Sequence, residues 1–326
     1  MKIVVIGLGS MGKRRIRLLR ELYPDFFVFG VDRRRERREE VHERFGIECV
    51  DSIDTVVKIY EIDAAFVCTS PLSHSSIITK CLQNNWNVFT ELNLVLDGYE
   101  RNINLAQEKG CKLFLSSTFL YREEIHHIRR RISKGQRWNY IYHIGQYLPD
   151  WHPWEDYTEF FISDKRTNGC REIMAIELPW LILTFGKVVS THVLADKMTK
   201  LNINYCDNYI IQMEHENGNK GVLIIDVVSP VAVRKLEVYS EHKYLQWNGT
   251  PDALYEYNTK TDLLELVHVC ETEEHREGYR AFIVENAYKK EIKEFVEMVL
   301  NDRLPQYGFE KDLEILELIN ILERDT

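Results

Sequence analysis

Short apolar runs alternate with amphipathic stretches over the first third of the chain. The runs are rich in β-branched and aromatic residues and are typical of strands buried on both faces: Ile3–Ile6, Phe26–Val31, Ala64–Val67, Val88–Thr90 and Leu113–Ser116. Between several of them apolar positions recur at helical spacing, as in Met11–Tyr23 and Ile77–Asn84. This β-α-β alternation predicts an α/β Rossmann domain with a doubly wound parallel sheet.

The pattern changes after Tyr121, and strand-like segments dominate the second part. Helices are predicted at Tyr121–Ser133, Glu172–Phe185, Ala281–Leu300 and Glu310–Glu323, and strands at Trp138–Leu148, Tyr209–His215, Gly221–Val228, Leu236–Ser240, Tyr244–Asn248 and Leu264–Val269. Asn217-Gly218, between two of these strands, is a hairpin signal. We therefore predict a Rossmann domain over residues 1–120 and an α+β domain with a mostly antiparallel sheet over residues 121–326.

Composition limits the classes of partner. The formal net charge of the 326 residues is −9, so we expect neither a nucleic-acid nor a membrane partner. The apolar run before Gly7 is too short for a signal peptide, and no stretch approaches the roughly 20 apolar residues of a membrane span. Seven cysteines without a Cys-x-x-Cys pair suggest neither a disulfide framework nor a zinc site. We expect reduced thiols, a cytoplasmic protein and no metal ion.

A G-x-G-x-x-G pattern follows the first predicted strand and opens the first predicted helix: Gly7, Leu8, Gly9, Ser10, Met11 and Gly12. In this context Gly7 permits the tight turn, Gly9 lets the backbone approach a pyrophosphate, and Gly12 allows close packing of the helix on the sheet. The free N–H groups at the helix N-terminus then face the phosphates. The pattern predicts a nicotinamide dinucleotide site that includes Ser10 and Met11.

Asp32 ends the second predicted strand, 20 residues after Gly12. A carboxylate at this place accepts hydrogen bonds from the adenine ribose and repels a 2′-phosphate, which favours NAD over NADP. The arginines that follow, beginning with Arg33, leave NADP possible, because an arginine there can hold a 2′-phosphate or stack on adenine. The alternative for Arg33–Glu40 is a solvated helix face with pairs such as Arg35–Glu39.

Three segments resemble one family of enzymes, the glucose–fructose oxidoreductase / inositol dehydrogenase family (Gfo/Idh/MocA). They are Gly7–Gly12, Cys68–His74 and Thr90–Leu94. Thr69 and His74 match the family's T-P-N-x-x-H pattern, and Glu91 matches the first residue of its E-K-P. The resemblance implies an NAD(P)-dependent oxidoreductase of sugars, cyclitols or nucleotide sugars. It also implies cofactor contacts near Thr69, Ser70, His74 and Glu91, and a last helix, about residues 310–323, that returns to the Rossmann domain.

The sequence departs from this family at its acid–base residues. The family uses the lysine of E-K-P and a histidine in an H-x-x-D pattern on the long helix of the second domain. Alignment of the end of that helix puts Leu92 at the lysine, Ile176 at the histidine, Pro179 at the aspartate and Ile173 at a further acidic position. None of these side chains can exchange a proton, although alcohol oxidation requires a base. The standard acid–base set is therefore missing.

Candidates to replace it lie between Gly145 and Trp180. This stretch is dense in aromatic and acidic residues, which suit a sugar site: Tyr147, Asp150, Trp151, His152, Trp154, Glu155, Asp156 and Tyr157. Of these we take Trp151, His152, Glu155 and Tyr157, with Lys165 and Arg171, as candidate substrate contacts. His152, Glu91 and Glu172 are the catalytic candidates. The alternative is a loop packed in a subunit interface, where tryptophan and tyrosine are also enriched.

Three functions follow from this combination. The first is an NAD(P)-dependent oxidoreductase of a sugar or nucleotide sugar with a non-standard acid–base set. The second is a catalytically silent relative that binds a dinucleotide or sugar as a regulator or partner subunit. The third is a redox-neutral reaction, such as an epimerisation or elimination, on a retained cofactor. A homo-oligomer is expected because a broad antiparallel sheet needs its open face covered.

Overall fold

The computed structural model describes residues 1–132, 135–151, 155–269 and 284–324. Within these ranges the chain divides into two compact units. The first unit consists of Met1–Ser117 and Tyr288–Glu314, and the second of Thr118–Ala287 and Ile315–Thr326. Among the described helices none is both long and apolar enough to cross a membrane.

Six parallel strands form the sheet of the first unit, in the order β3-β2-β1-β4-β5-β6. The strands are β1 (Lys2–Ile6), β2 (Phe27–Val31), β3 (Cys49–Val50), β4 (Ala64–Val67), β5 (Asn87–Thr90) and β6 (Leu113–Leu115). Helices follow the strands: α1 (Ser10–Leu22), α2 (Arg35–Phe45), α3 (Ile53–Ile59), α4 (Pro71–Gln83) and α5 (Tyr99–Lys109). Strand order reverses between β1 and β4, which is where ligands bind in such sheets. The predicted fold class is confirmed.

The second unit contains an eight-stranded sheet in the order β14-β13-β12-β11-β7-β10-β9-β8. Its elements are α6 (Glu123–Arg131), β7 (Asn139–Gly145), α7 (Gly169–Phe185), β8 (Val188–Asp196), β9 (Asn208–His215), β10 (Lys220–Asp226), β11 (Val233–Ser240), β12 (Lys243–Trp247), β13 (Leu254–Asn258) and β14 (Leu263–Leu266). Neighbouring strands are antiparallel except β7 and β10, which are parallel. In the sequence these two strands are separated by α7, β8 and β9. The mostly antiparallel sheet was predicted, and Asn217-Gly218 joins β9 and β10 as expected.

Two further helices end the described chain, α8 (Glu285–Asn301) and α9 (Phe309–Arg324). The predicted helix at Ala281–Leu300 begins among residues outside the described ranges. Sequence reasoning placed the start of α7 at Glu172, but the helix begins at Gly169. The side chain of Asn168 caps it by accepting a hydrogen bond from the backbone N–H of Arg171 at 2.8 Å.

Aromatic side chains fill the core of the first unit. Phe295 of α8 is fully buried and meets three phenylalanine rings from β4, β5 and β6. Its ring centroid lies 5.3 Å from that of Phe66, 5.6 Å from that of Phe89 and 5.8 Å from that of Phe114. Because α8 comes late in the chain, this core is completed by residues far from the strands in sequence.

The substitution Phe295→Ala tests the contribution of α8. It removes a buried ring at a packed position, so we expect the free energy of unfolding to fall by about 3–5 kcal/mol. Phe27→Ala is the matched control, since Phe27 is 65% exposed, and it should change stability by less than about 0.5 kcal/mol. Equal effects of the two substitutions in urea denaturation would contradict this assignment of the core.

Candidate functional site

The glycine-rich loop follows β1 and adopts a shape that only glycine permits. Gly7 has a φ of +93°, and a Cβ there would lie 2.7 Å from the carbonyl oxygen of Cys68 at the end of β4. At Gly12 a Cβ would lie 1.9 Å from the carbonyl oxygen of Gly7. These two glycines therefore allow the loop to fold tightly where the strand order reverses.

Gly9 leaves room for a ligand rather than for the protein's own backbone. A Cβ built on Gly9 would meet only the guanidinium of Arg37, at 3.6 Å. Gly9 also serves as the N-cap of α1 and provides no side-chain cap, so the first N–H groups of the helix, near Ser10 and Met11, are open to an anion. The space and the donors fit the pyrophosphate of a dinucleotide.

Asp32, at the carboxyl end of β2, is held by the backbone. Its Oδ2 accepts a hydrogen bond from the N–H of Leu8 at 2.8 Å, and its Oδ1 accepts one from the N–H of Arg34 at 2.8 Å. Arg38 donates to the carbonyl oxygens of Asp32 and Arg33, at 2.8 and 3.0 Å. The carboxylate is therefore fixed beside the glycine-rich loop, while the side chain of Arg33 is exposed.

Sequence reasoning missed Arg37, which lies closer to this carboxylate than Arg33 or Arg35. Its Nη1 is 3.6 Å from Oδ2 of Asp32. Arg35 instead pairs with Glu39 at 2.7 Å on the solvent side, as the helical spacing suggested. The available signal was the helical period itself, which places Arg37, two residues after Arg35, on the opposite face of α2.

His74 of α4 fixes the loop that follows β4. Its Nε2 donates to the carbonyl oxygen of Thr69 at 2.8 Å, and its Nδ1 lies 2.6 Å from the side-chain amide of Asn93. Burial lowers the pKa of His74 in spite of these hydrogen bonds. Both ring nitrogens are engaged within the protein, so the side chain of His74 fixes the backbone at Thr69, and its cofactor role stays a prediction.

Glu91, which directly follows β5, forms an ion pair with a buried arginine. The Nε of Arg15 lies 2.6 Å from Oε1 of Glu91, and its Nη2 donates to Glu291 at 2.9 Å and to Ser116 at 3.1 Å. Burial alone lowers the pKa of Arg15, but the carboxylates of Glu91 and Glu291 outweigh burial and raise it. Since both oxygens of Glu91 accept hydrogen bonds from Arg15, its carboxylate has a structural partner.

Glu172, in the first turn of α7, is a different kind of carboxyl group. Its Oε2 is buried and has no hydrogen-bond partner among the described residues. Burial raises its pKa to about 7, which suits a group that exchanges protons near neutral pH. Glu172 and Ile176 are both half-buried, whereas Ile173–Ala175 are buried. Glu172 therefore shares a helix face with the position that aligns with the family histidine.

Glu177 is excluded as a replacement base by its contacts. Its Oε2 accepts hydrogen bonds from the hydroxyl of Tyr142 and the indole N–H of Trp180, each at 2.7 Å. Its Oε1 accepts one from Arg234 at 2.7 Å. The side chain is fully buried, so this carboxylate serves the interior of the second unit, away from the face of Ile176.

The aromatic and acidic stretch between Gly145 and Trp180 is described only in part, and His152 and Trp154 lie outside the described residues. Trp151 donates its indole N–H to the carbonyl oxygen of Gln146 at 3.0 Å, and the hydroxyl of Tyr157 accepts from the N–H of Asn202 at 3.1 Å. Glu155 and Lys165 have exposed side chains.

Arg171 is buried, and its guanidinium pairs with Glu323 and donates to Asn320. Unlike Lys165, this candidate substrate contact is therefore engaged within the protein.

A histidine–aspartate pair on the sheet was also missed. The Nε2 of His143 lies 2.7 Å from Oδ2 of Asp226. Burial alone raises the pKa of Asp226, but hydrogen bonds from His143, Val228 and Ser229 outweigh it and lower the pKa. The two residues belong to β7 and β10 and are 83 positions apart, so no short motif could have joined them.

These features define a two-unit protein whose first unit has the strand order and the glycine-rich loop of a Rossmann fold. Residues 1–117 match the sequence model of an oxidoreductase family with an NAD-binding Rossmann fold, Gfo/Idh/MocA. The resemblance inferred from the motifs is confirmed for this part of the chain.

Curated relatives match the chain over part of its length. Myo-inositol 2-dehydrogenase of Thermotoga maritima is 26% identical over 139 residues, which are 41% of this chain and 41% of the relative. Biliverdin reductase A of Mus musculus is 28% identical over 135 residues, which are 40% of this chain and 44% of the relative. The match thus spans less than half the length of each relative.

Solved structures share the fold over the whole chain. UDP-N-acetylglucosamine 3-dehydrogenase from Acidithiobacillus ferrooxidans has a TM-score of 0.77 at 16% identity and covers 100% of this chain and 97% of its own. Biliverdin reductase from Synechocystis, solved with biliverdin and NADP+, has a TM-score of 0.78 at 15% identity and covers 99% of this chain and 98% of its own. At these identities the likeness establishes the fold alone.

The buried carboxyl of Glu172 makes stability depend on pH. A carboxyl whose pKa is about 7 in the folded protein and near 4.5 when unfolded binds more protons when folded. Stability therefore falls as the pH rises from about 4.5 to about 7, by up to about 3 kcal/mol. Glu172→Gln removes this titrating carboxyl group. The free energy of unfolding of the variant, relative to that of the wild type, should therefore be larger at pH 8 than at pH 5.

Chemical denaturation at the two pH values measures this difference. Glu159→Gln is the control, because Glu159 is exposed in the same unit, and it should follow the wild type at both. An identical pH response of Glu172→Gln and wild type would show that Glu172 is solvated when folded.

Proposed function

We propose that the protein is an NAD(P)-dependent oxidoreductase that acts on a sugar or nucleotide sugar. The observation that carries this proposal is the glycine-rich loop, in which Gly9 leaves open space beside an uncapped helix N-terminus. Asp32 supports NAD as the first cofactor, since its fixed carboxylate has lone pairs left for ribose hydroxyls. A bound nicotinamide supplies the hydride donor or acceptor.

The proton of the substrate alcohol needs a second group, and we infer that Glu172 takes it. Its unpartnered oxygen and its pKa of about 7 support this role over that of Glu91, whose two oxygens are held by Arg15. In the direction of alcohol oxidation Glu172 acts as a base when ionised, and in the reverse direction as an acid when protonated. The proposed substrate contacts remain Trp151, Glu155, Tyr157 and Lys165, with His152 outside the described residues.

The proposed substrate class rests on the activities of similar proteins. Similar proteins include a myo-inositol 2-dehydrogenase and a UDP-N-acetylglucosamine 3-dehydrogenase. These polyhydroxylated compounds agree with the aromatic and acidic residues between Gly145 and Trp180. We extend the proposal to a cytoplasmic enzyme without a metal ion.

A catalytically silent relative is the second candidate function. It is favoured by Leu92 and Ile176, which replace both proton-carrying residues of the family pattern, and by the engagement of Glu91 with Arg15. Such a protein would bind the dinucleotide as a regulator or partner subunit.

A redox-neutral epimerisation or elimination on a retained cofactor is the third candidate function. Transient absorbance of reduced cofactor during turnover would distinguish it from the first.

The first experiment asks which nucleotide the protein holds. Protein purified without added nucleotide is denatured, the released NAD(H) or NADP(H) is identified by absorbance and mass, and both are titrated into stripped protein. We expect retention or micromolar binding of NAD. If wild-type protein binds neither nucleotide, the oxidoreductase proposal fails. Protein partners should then be sought instead.

Turnover then tests Glu172. UDP-N-acetylglucosamine, myo-inositol and other sugars are screened for reduction of NAD. With any substrate found, kcat/KM in the oxidation direction should rise with pH through about 7, and Glu172→Gln should lower kcat by roughly 10²–10⁴-fold. Glu159→Gln should leave it within about twofold. An unchanged rate in Glu172→Gln would remove Glu172 from the proposal.

We also propose that the open face of the second sheet joins two copies of the chain. Leu194, Ile210, Ile224 and His143 lie side by side across four strands, and Leu194 and Ile210 are 58% and 43% exposed. The opposite face is covered, since Tyr142 packs on Trp180 of α7. Exposed apolar rows of this kind mark interaction surfaces.

Light scattering on eluted protein measures the oligomeric state. The wild type should elute as a dimer or larger, and Ile210→Glu should shift it toward the monomer because it places a charge within an apolar contact. Leu304→Glu, at a side chain that is 90% exposed in the first unit, is the control and should keep the wild-type mass. A monomeric wild type would contradict the proposal.

A further inference from the structure

Tyr205 lies near the end of the loop that joins β8 to β9, residues 197–207. Its side chain is 6% exposed, and its hydroxyl oxygen has no hydrogen-bond partner among the described residues. Oε2 of Glu172 is buried and unpartnered in the same way. Because buried polar groups are almost always hydrogen-bonded, two such oxygens in one unit require an explanation.

Two contacts attach this loop to the start of α7, where Glu172 lies in the first turn. The carbonyl oxygen of Asp207, two residues after Tyr205, accepts a hydrogen bond from the N–H of Val227 at 2.9 Å. A Cβ on Gly169, the first residue of α7, would lie 3.0 Å from Cγ1 of the same Val227. Tyr205 and Glu172 therefore belong to the same corner of the second unit.

The electrostatics of Tyr205 agree with this placement. Burial raises the pKa of Tyr205, the backbone of Gly169 lowers it, and the charges of Cys170, Asp207 and Glu172 raise it again. The backbone of Gly169 is thus near the hydroxyl, although the two form no hydrogen bond. With its pKa raised, Tyr205 keeps its proton at neutral pH and remains a hydrogen-bond donor.

The other two side chains that act on Tyr205 have a different state. Asp207 accepts hydrogen bonds from the N–H of Met198 at 2.9 Å and from the N–H and hydroxyl of Thr199 at 3.0 and 2.6 Å. Burial raises the pKa of the Cys170 thiol well above its usual value, so this thiol is uncharged. Within the described part of the chain, Glu172 is the neighbour of Tyr205 that has an unpartnered carboxylate oxygen.

A phenol hydroxyl that donates and a carboxylate that accepts together match one alcohol group, whose oxygen accepts one hydrogen bond while its O–H donates another. We propose that Tyr205 and Glu172 bind the same oxygen of the substrate, with Tyr205 donating to it and Glu172 taking its proton. This inference rests on the proposed function, to which it adds Tyr205 as a catalytic residue.

The pair serves both directions of the reaction. In oxidation the substrate carbon loses a hydride, with its electron pair, to the oxidised nicotinamide, and the O–H proton passes to ionised Glu172. The electron pair of the broken O–H bond becomes the second bond of the carbonyl group. In reduction Tyr205 and protonated Glu172 both donate to the carbonyl oxygen, which stabilises the negative charge that develops there.

Tyr205→Phe first separates this role from a structural one without any ligand. The substitution keeps the ring and removes a buried hydroxyl that has no partner, so the midpoint of urea denaturation should be unchanged or higher. Tyr140→Phe is the matched control, because the buried hydroxyl of Tyr140 lies 3.0 Å from Nε2 of His215, and its midpoint should fall. An equal fall in Tyr205→Phe would overturn the inference, since the hydroxyl would then have a structural partner.

Calorimetric titration then measures binding to protein saturated with NAD, with myo-inositol and UDP-N-acetylglucosamine as probes. Tyr205→Phe and Glu172→Gln should each weaken the binding of a probe by about three- to tenfold, the size of one lost hydrogen bond. The double variant should lose less than the product of the two single losses, because both side chains contact one atom. Tyr239→Phe removes a hydroxyl from a side chain that is 39% exposed and should stay within about twofold of the wild type.

The possible outcomes are distinct. Unchanged affinity in Tyr205→Phe would refute the inference, and so would a loss in the double variant equal to the product of the single losses. In both cases NAD binding and turnover of a sugar would leave the proposed function intact. NAD-saturated wild-type protein that binds neither probe would also contradict the inference. Failure of the wild type to bind any nicotinamide nucleotide would overturn the proposed function together with it.

Discussion

The fully buried guanidinium of Arg15 links three parts of the first unit. It belongs to α1, the helix that begins at the glycine-rich loop, and it bonds Glu91 after β5 and Glu291 in α8. Its Cζ also lies 4.5 Å from the ring centre of Phe89. A buried charge with two carboxylates is stable only while all partners remain, and loss of one typically costs about 3–5 kcal/mol. The position of α1, which begins at the glycine-rich loop, therefore depends on this cluster.

The cluster also changes how the family motif is interpreted. Glu91 stands where the family has the glutamate of E-K-P, and its carboxylate is used to neutralise Arg15. The lysine position beside it holds Leu92, which carries no proton. A structural glutamate can thus persist after the neighbouring chemistry has gone, so Glu91 by itself says nothing about catalysis. Glu172, whose oxygen has no protein partner, is the more informative carboxyl.

The sequence was sufficient for the fold class and for the position of the glycine-rich loop, because both rest on local signals. Buried strands, helical spacing and glycines at fixed offsets are visible within about 30 residues. The edge strand β8 was missed because most of its side chains are exposed and it lacks an apolar alternation. Arg37 and the His143–Asp226 pair were missed for another reason. Their partners are set by the orientation of side chains on separate elements, which spacing alone does not encode.

The first unit is assembled from two distant stretches of chain, residues 1–117 and 288–314. During synthesis the N-terminal stretch emerges first, at about 5–20 residues per second. The residues of α8 that complete this unit are made only after Thr118–Ala287. Until then Arg15 lacks Glu291, and the rings of Phe66, Phe89 and Phe114 lack Phe295. The first unit is therefore begun before the second unit is made and completed only after most of it has been made.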